Sequence, residues 1–140
     1  MTIKLYKENG MIKQSRTLAE NIIQVIDGVL TWIENNMDKK LFVETITEKS
    51  GYSRWYFQRK FVLATGQTLA NYITKRKMTV AADLLRNTKL PALSVACLIG
   101  YEDQSSFCRA FRRCHGVSPT AYRNSTIISS ILLQPPISIL

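Results

Sequence analysis

The chain has 140 residues, of which 46% are hydrophobic and 21% charged, a composition typical of a folded globular protein and not of a disordered one. It is long enough for one ordinary domain or two very small ones that share a core, and too short to hold a sensor domain as well. The formal net charge is +9, and no apolar run is long enough to span a bilayer, so a membrane-embedded protein is excluded.

The positive charge is concentrated in the middle of the chain. Residues 49–123 hold 13 Lys and Arg against 3 Asp and Glu, whereas residues 1–48 hold 6 against 7 and residues 124–140 hold none. This distribution predicts a polyanionic partner such as nucleic acid, although an anionic membrane surface would also attract it. The N-terminus lacks the apolar core of a signal peptide, so we expect a cytoplasmic protein.

Apolar periodicity predicts an all-α protein of about seven helices. Residues 1–20 show no sustained period and are predicted to be an N-terminal arm. The first helix is expected to begin with Asn21 as its cap and to run to about Met37. Its predicted buried stripe consists of Ile22, Val25, Ile26, Val29, Trp32 and Ile33.

The helix predicted at 53–65, after a short one at 43–50, has two different faces. Ser53 can cap its start, and Phe57 and Phe61 lie on one side at helical spacing. Trp55, Gln58 and Arg59 lie on the opposite side. Arg can make two hydrogen bonds to guanine, Gln can do so to adenine, and an aromatic ring can contact a thymine methyl. This side is therefore either a base-reading surface or a solvated face with a half-exposed Trp.

A long helix is predicted at 68–87, with apolar residues at positions 69, 72, 73, 80, 81, 84 and 85. At about 1.5 Å per residue it would be roughly 30 Å long, close to the roughly 34–36 Å between major-groove faces one DNA turn apart. It is either a spacer between two reading helices or a long core helix. Lys75, Arg76 and Lys77 either hold phosphate oxygens or form a solvated cluster.

The second half of the chain predicts the same succession of helices. Pro91 suits the first turn of a helix that ends near Gly100, and another helix starts at about Asp103. In that helix Phe107 and Phe111 are expected to face inward. Its outward residues are predicted to be Gln104, Ser105, Cys108, Arg109 and Arg112. Ser118 and Pro119 begin a closing helix to Arg123, followed by the uncharged tail 124–140, to which no function is assigned.

The two halves of the chain are related by an internal repeat. The segment Phe57-Gln58-Arg59-Lys60-Phe61 returns as Phe107-Cys108-Arg109-Ala110-Phe111. The flanking matches are Leu41 with Leu90, Ile46 with Val95, Gly51-Tyr52 with Gly100-Tyr101, Gly66 with Gly116 and Tyr72 with Tyr122. Two copies of a helix, a short glycine-containing turn and a second helix predict two helix-turn-helix motifs.

No feature of the sequence predicts a metal, a cofactor or an enzyme. The spacing of Cys97, Cys108, Cys114 and His115 does not match a paired-ligand metal site, and reduced thiols are expected. The carboxylates are scattered, and neither a glycine-rich phosphate loop nor a Gly-x-Ser-x-Gly elbow is present.

Over residues 22–123 the chain resembles the AraC/XylS family of transcription activators, in particular its stand-alone MarA/SoxS/Rob subgroup. The resemblance is carried by Gly51 to Phe61, Tyr72-Ile73, Arg76-Lys77-Met78, Ala96, Gly100-Tyr101, Phe107-x-Arg109-x-Phe111-Arg112 and Gly116-Val-Ser-Pro119-x-x-Tyr122-Arg123. It implies a DNA-binding domain at 21–123, with helix-turn-helix motifs at about 41–66 and 90–116 and a linker helix at 68–87.

The resemblance also implies a function. Such a protein binds double-stranded promoter DNA as a monomer, in two adjacent major grooves, and recruits RNA polymerase, with antibiotic-resistance or stress genes as the expected targets. The larger members of the family carry a ligand-binding domain, which we do not expect in this chain. The predicted DNA-contacting residues are Arg54, Trp55, Gln58, Arg59, Lys75, Arg76, Lys77, Gln104, Ser105, Ser106, Cys108, Arg109 and Arg112.

Two positions depart from the subgroup, which commonly has Ser at the place of Asp103 and Thr at that of Cys108. An acid there repels phosphate unless it caps the helix or accepts from a cytosine amine. The rival functions are a nonspecific, nucleoid-type nucleic-acid binder and a basic enzyme or membrane-surface protein. A nonspecific binder would bind every duplex alike and lose affinity steeply with salt.

Overall fold

The computed structural model describes residues 18–125 and 133–140, and within these residues it consists of seven helices and no strand. The helices are α1 (Leu18–Glu34), α2 (Val43–Ser50), α3 (Arg54–Thr65), α4 (Leu69–Asn87), α5 (Ala92–Leu98), α6 (Gln104–His115) and α7 (Pro119–Asn124). The predicted all-α fold is confirmed. Most of the predicted arm 1–20 and residues 126–132 of the predicted tail lie outside the described residues.

The chain divides into two units, each with its own buried residues. The described parts of the first unit are 18–36, 41–71 and 136–140, and those of the second are 37–40, 72–125 and 133–135. In the first unit α1 and α2 pack on α3. Its buried apolar residues are Ile22, Val25, Ile26, Val29, Leu30, Ile33, Ile46, Phe57, Phe61 and Leu69.

The beginning and the end of α1 differ from the prediction. The helix already includes Leu18, so the prediction that Asn21 is its cap is wrong. It ends at Glu34, and the Asn36 amide donates to Trp32 O, a carbonyl of the last turn, at 2.7 Å. Trp32 is half-buried, and the Lys49 amine lies 5.5 Å from the centre of its ring.

In the second unit α6 packs on α5 and α7. Its hydrophobic core consists of Met78, Ala81, Ala82, Leu85, Val95, Ala96, Ile99, Phe107, Ala110, Phe111 and Tyr122. Arg123 of α7 is held by backbone carbonyls, with its Nε donating to Leu85 O at 2.9 Å and its Nη2 to Leu90 O at 2.6 Å. Pro91 precedes α5 as its N-cap and does not lie in its first turn.

Two of the three cations predicted to contact phosphate from α4 are buried, and that part of the prediction is wrong. Arg76 is 7% exposed and Lys77 5% exposed, whereas Lys75 is exposed. Positions 76 and 77 lie three and four residues after the buried Ile73, which places them on the inward face of the helix. The apolar spacing of α4 therefore places Arg76 and Lys77 on its inward face in spite of their charge, and their burial depends on the carbonyl partners that they meet there.

The Lys77 amine is bound by three carbonyl groups of the second unit. Its Nζ donates to Met37 O at 2.6 Å, Lys39 O at 2.7 Å and Ile99 O at 2.6 Å. Burial lowers the pKa of Lys77 from 10.5 to about 8, against the smaller opposing effect of Asp38. One side chain thus connects residues 37–39 and the end of α5 to α4.

Gly100 lies beside this cluster and has a positive φ of 82°. A Cβ atom at this position would lie 2.6 Å from Lys39 O and 3.0 Å from the Lys77 amine. Both the backbone conformation and the close approach therefore require glycine.

Arg76 and the C-terminal residues also meet in the second unit. Arg76 Nη1 donates to Gln134 O at 2.6 Å, and Gln134 N donates to Thr79 Oγ1 at 2.7 Å. In the first unit Ile139 N donates to Asp27 Oδ1 at 3.3 Å. The described part of the predicted tail is therefore bonded to helices and does not form a free extension.

Replacement of Lys77 by Met should destabilise the protein by at least about 2 kcal/mol at pH 7, because three buried carbonyls lose their donor. The deficit should grow with pH. Since the pKa of Lys77 is about 8 when folded and 10.5 in its ordinary state, the unfolded chain binds more protons between these values, and the free energy of unfolding of the wild type rises there. Urea denaturation from pH 7 to 10 measures both effects.

The matched control is Lys75→Met, which removes an exposed lysine from the same helix and should change stability by no more than about 0.5 kcal/mol. A difference between the wild type and Lys77→Met that is independent of pH over this range would contradict the buried, depressed amine.

Candidate nucleic-acid interface

The inner face of α3 fixes the helix on the first unit. Ser53 Oγ accepts from Tyr56 N at 3.1 Å, which confirms the predicted cap. Phe57 and Phe61 are both fully buried, with ring centres 6.0 Å apart. Trp55 and Arg59, each two residues from Phe57, point about 160° away from it at the helix period of about 100° per residue.

The outer face of α3 carries the predicted reading residues. Trp55 is 67% exposed, and the exposed Arg59 places its guanidinium 5.2 Å from the centre of the Trp55 ring. Contact of this kind is worth about 0.5–1 kcal/mol at an exposed site and limits the directions that the arginine can take. Arg54, also exposed, lies 3.5 Å from Glu44.

Gln58 is less exposed than predicted. It is half-buried, and its Oε1 is shielded from solvent without a hydrogen-bond partner among the described residues. An unpaired buried acceptor of this kind costs about 1–3 kcal/mol. A donor from outside the protein could relieve this cost if the amide turned outward.

Of the alternatives that the sequence allows for Asp103, the structure shows the helix cap: Asp103 is the N-cap of α6. Its Oδ1 accepts from Ser106 N at 2.7 Å and its Oδ2 from Ser106 Oγ at 3.0 Å. These two hydrogen bonds, the backbone one first, lower the pKa of Asp103 below its ordinary value. Asp103 is not among the predicted DNA-contacting residues, and Asp is one of the residue types preferred at the N-cap of a helix.

The faces of α6 repeat those of α3. Phe107 and Phe111 are fully buried with ring centres 5.8 Å apart, and Phe111 also packs against the buried His115. Burial lowers the pKa of His115, whose Nε2 donates to Met78 O at 3.1 Å. The predicted outer residues Gln104, Ser105, Arg109 and Arg112 are exposed, while Ser106 and Cys108 are half-buried.

The predicted contact residues thus fall into three groups. Arg54, Trp55, Gln58 and Arg59 lie on α3, and Gln104, Ser105, Ser106, Cys108, Arg109 and Arg112 lie on α6. On α4 only Lys75 of the three predicted cations is exposed. In the described residues no three His, Cys, Asp or Glu side chains lie close enough together to hold a metal ion. None of the helices described is both long and apolar enough to cross a membrane.

Comparison with known proteins identifies this arrangement. A family model described as a helix-turn-helix domain matches residues 46–125. The TetD protein of transposon Tn10 from Escherichia coli is 44% identical over 103 residues, which are 74% of this chain and 75% of TetD. The regulatory protein SoxS of Escherichia coli K12 is 40% identical over 101 residues, 72% of this chain and 94% of SoxS. The chain belongs to the AraC-type helix-turn-helix family.

Further relatives and solved structures agree with this membership. The multiple antibiotic resistance protein MarA of Salmonella typhimurium is 41% identical over 98 residues, 70% of this chain and 77% of MarA. The DNA-binding domain of AdpA, solved in complex with a target DNA, has a TM-score of 0.66 at 28% identity and covers 70% of this chain and 88% of that domain. This AraC-type protein is a DNA-binding regulator related to SoxS and MarA, and not an enzyme.

The two faces of α3 should respond differently to truncation. Phe57→Ala removes a fully buried ring and should lower the free energy of unfolding by about 3–5 kcal/mol. Trp55→Ala removes a side chain that is 67% exposed and should change it by less than about 1 kcal/mol. Urea denaturation of both variants is the measurement, and an equal loss in the two would show that the assignment of inner and outer faces is wrong.

Proposed function

We propose that this protein is a transcription activator that binds promoter DNA sequence-specifically as a monomer, with α3 and α6 in adjacent major grooves, and recruits RNA polymerase. The observation that carries the proposal is the repeated construction of these two helices. Each is anchored by a buried pair of phenylalanines and exposes an arginine, Arg59 or Arg109, on the opposite face. One chain therefore supplies two reading helices without a second copy.

The outer side chains of α3 suit the edges of bases in the major groove. Arg59 can donate two hydrogen bonds to guanine O6 and N7, and the stacked Trp55 offers an apolar surface to a thymine methyl. Gln58 can pair with adenine through its amide. These three residues are proposed to read one half of the site.

The second half of the site is proposed to be read by α6. Arg109 is the counterpart of Arg59 in the repeat, and the exposed Gln104 and Ser105 lie in the first turn, which enters a groove first in many helix-turn-helix proteins. Ser106 and Cys108 add smaller side chains at the edge of this face.

Phosphate contacts are assigned to the cations that remain exposed. Lys75 on α4, Arg54 at the start of α3 and Arg112 on α6 are all exposed, and arginine and lysine are the usual phosphate ligands. Arg76 and Lys77 are removed from this group because they are buried and donate to carbonyl groups.

The regulatory role and the target genes are proposed from the relatives. SoxS is named a regulatory protein, and MarA a multiple antibiotic resistance protein. We therefore propose antibiotic-resistance or stress genes as targets, and the bacterial cytoplasm, where promoter DNA lies, as the place of action.

Selection of genomic fragments bound by the purified protein at physiological salt tests the proposal. One class of fragment should be bound about 10³-fold more tightly than random duplex, at a protein to DNA ratio of one to one over about two DNA turns. Equal affinity for all duplexes would establish the nonspecific, nucleoid-type alternative. A two-fold symmetric footprint with two proteins per site would disprove the monomer.

The selected fragment also tests activation. Placed upstream of a core promoter and transcribed by purified RNA polymerase, it should give more transcript when the protein is added. Full occupancy of the site without any change in transcript would show that the protein binds DNA but does not activate.

Arg59→Ala should weaken binding to the selected site by roughly 1–3 kcal/mol and relax the preference at one base pair, because a forked guanine contact is lost. Titration of the selected site and of its single-base variants measures this loss. A thermal melt is run in parallel. A lower melting temperature with an unchanged ratio of specific to random affinity would mean that Arg59 is structural.

Lys75→Ala is the matched control for loss of charge. It should weaken all duplexes alike and reduce the slope of log affinity against log salt by about one, as expected for a lost phosphate contact. A change of base preference in this variant would contradict the assignment of Lys75 to phosphate.

A further inference from the structure

A chain of hydrogen bonds runs along the first two turns of α6 to its outward arginine. Asp103 Oδ2 accepts from Ser106 Oγ at 3.0 Å, and Ser106 Oγ accepts from Arg109 Nη2 at 3.3 Å. Asp103 Oδ1 accepts from Ser106 N at 2.7 Å, so the carboxylate is held at both oxygens. Asp103 and Arg109 are exposed and Ser106 is half-buried, whereas Phe107 and Phe111 are fully buried.

The single proton of the Ser106 hydroxyl determines the direction of the hydrogen bonds between Asp103, Ser106 and Arg109. A serine hydroxyl has one proton to donate and two lone pairs that accept. The hydrogen bonds from Ser106 lower the pKa of Asp103, so at neutral pH its carboxylate is ionised and can only accept. Since the proton of Ser106 is directed to Asp103, the oxygen of Ser106 is left as an acceptor, which suits the guanidinium of Arg109.

The hydrogen bond to Ser106 gives the Arg109 guanidinium a preferred direction. A free arginine side chain loses rotamer entropy when it is ordered. The bond to Ser106 uses one of its five N–H donors and leaves the others for groups outside the protein. An arginine that is already oriented forms a forked contact to guanine at a smaller entropic cost.

We propose that Asp103 is a positioning residue for Arg109: through the Ser106 hydroxyl it orients the guanidinium with which α6 reads its base pair. This inference rests on the proposed function, because it concerns the base preference of a sequence-specific binder. It assigns to an acidic residue, which repels phosphate, a favourable part in recognition.

The first reading helix, α3, provides the natural comparison, because it lacks this series of hydrogen bonds. Its cap is Ser53, three residues later stands Tyr56 in place of a serine, and Arg59 lies against the ring of Trp55. An acid at position 53 would therefore bring the same charge to a helix start without a hydroxyl that connects it to the arginine.

The neighbouring acid Glu102 has a different partner. Lys40 Nζ donates to Glu102 Oε2 at 3.2 Å, and both side chains are exposed. Of the two neighbouring acids Glu102 and Asp103, it is Asp103 that is connected to Arg109 through the hydrogen bonds of Ser106.

The test compares Asp103→Asn, Ser106→Ala and the double variant with the wild type on libraries in which either half of the selected site is randomised. Asn caps helices as well as Asp does, so the melting temperature of Asp103→Asn should remain close to that of the wild type. Each single variant should weaken the preference for guanine at the base pair read by Arg109 by about 3- to 10-fold. The other half of the site should be unaffected.

The double variant distinguishes a connected chain from separate effects. If Asp103 acts through Ser106, the double variant should lose no more preference than Ser106→Ala alone. Losses that multiply would show that the two residues act independently, which overturns the proposal.

Ser53→Asp is the control for charge. It should lower affinity for every sequence by a similar factor and leave all base preferences unchanged, since phosphate repulsion does not depend on sequence. A uniform gain of affinity in Asp103→Asn, without a change of preference, would show that Asp103 acts by repulsion alone and would overturn the proposal.

The two possible failures remain distinct. If the wild type selects no preferred sequence, the proposed function itself fails. If the wild type selects a site and Asp103→Asn retains every base preference of the wild type, only the positioning role of Asp103 is disproved.

Discussion

The burial of two phenylalanines in each of α3 and α6 is the constraint on which the orientation of their outer faces depends. Phe57 and Phe61 in α3, and Phe107 and Phe111 in α6, have no exposed surface. Burying a phenylalanine side chain stabilises by about 1.5–3 kcal/mol, far more than a surface arginine contributes. The rotation of each helix is therefore set by its inner face, and the direction of the outer residues follows from about 100° of turn per residue.

Within this common plan the two helices orient their arginines by different means. Arg59 lies against the face of the Trp55 ring, an electrostatic contact between the guanidinium and the π electrons of the ring. Arg109 is bonded to a hydroxyl whose proton is directed to Asp103, and this arrangement depends on hydrogen-bond geometry. Two arginines in matching places of the repeat thus have different surroundings.

Because Arg76 and Lys77 are buried, less positive charge is exposed than the composition of the chain indicates. Both belong to the basic region 49–123, yet they donate to carbonyl groups inside the second unit. Desolvation of the Lys77 amine is costly, and three carbonyl partners offset part of that cost. The formal charge of the region is accordingly larger than the charge at its surface, where exposed residues such as Lys75 lie.

Local patterns in the sequence were sufficient to predict seven helices, the caps at Ser53 and Ser118, and the inward phenylalanines, because helix periodicity and capping act over three or four neighbouring residues. The exposed set on α3 and α6 followed from the same period. Tertiary structure alone decided the burial of Lys77, since its partners Met37, Lys39 and Ile99 are 22 to 40 residues away. No local pattern shows that distant carbonyls will surround an amine. A charged residue on an apolar face can be predicted to lie inside only when those partners are known.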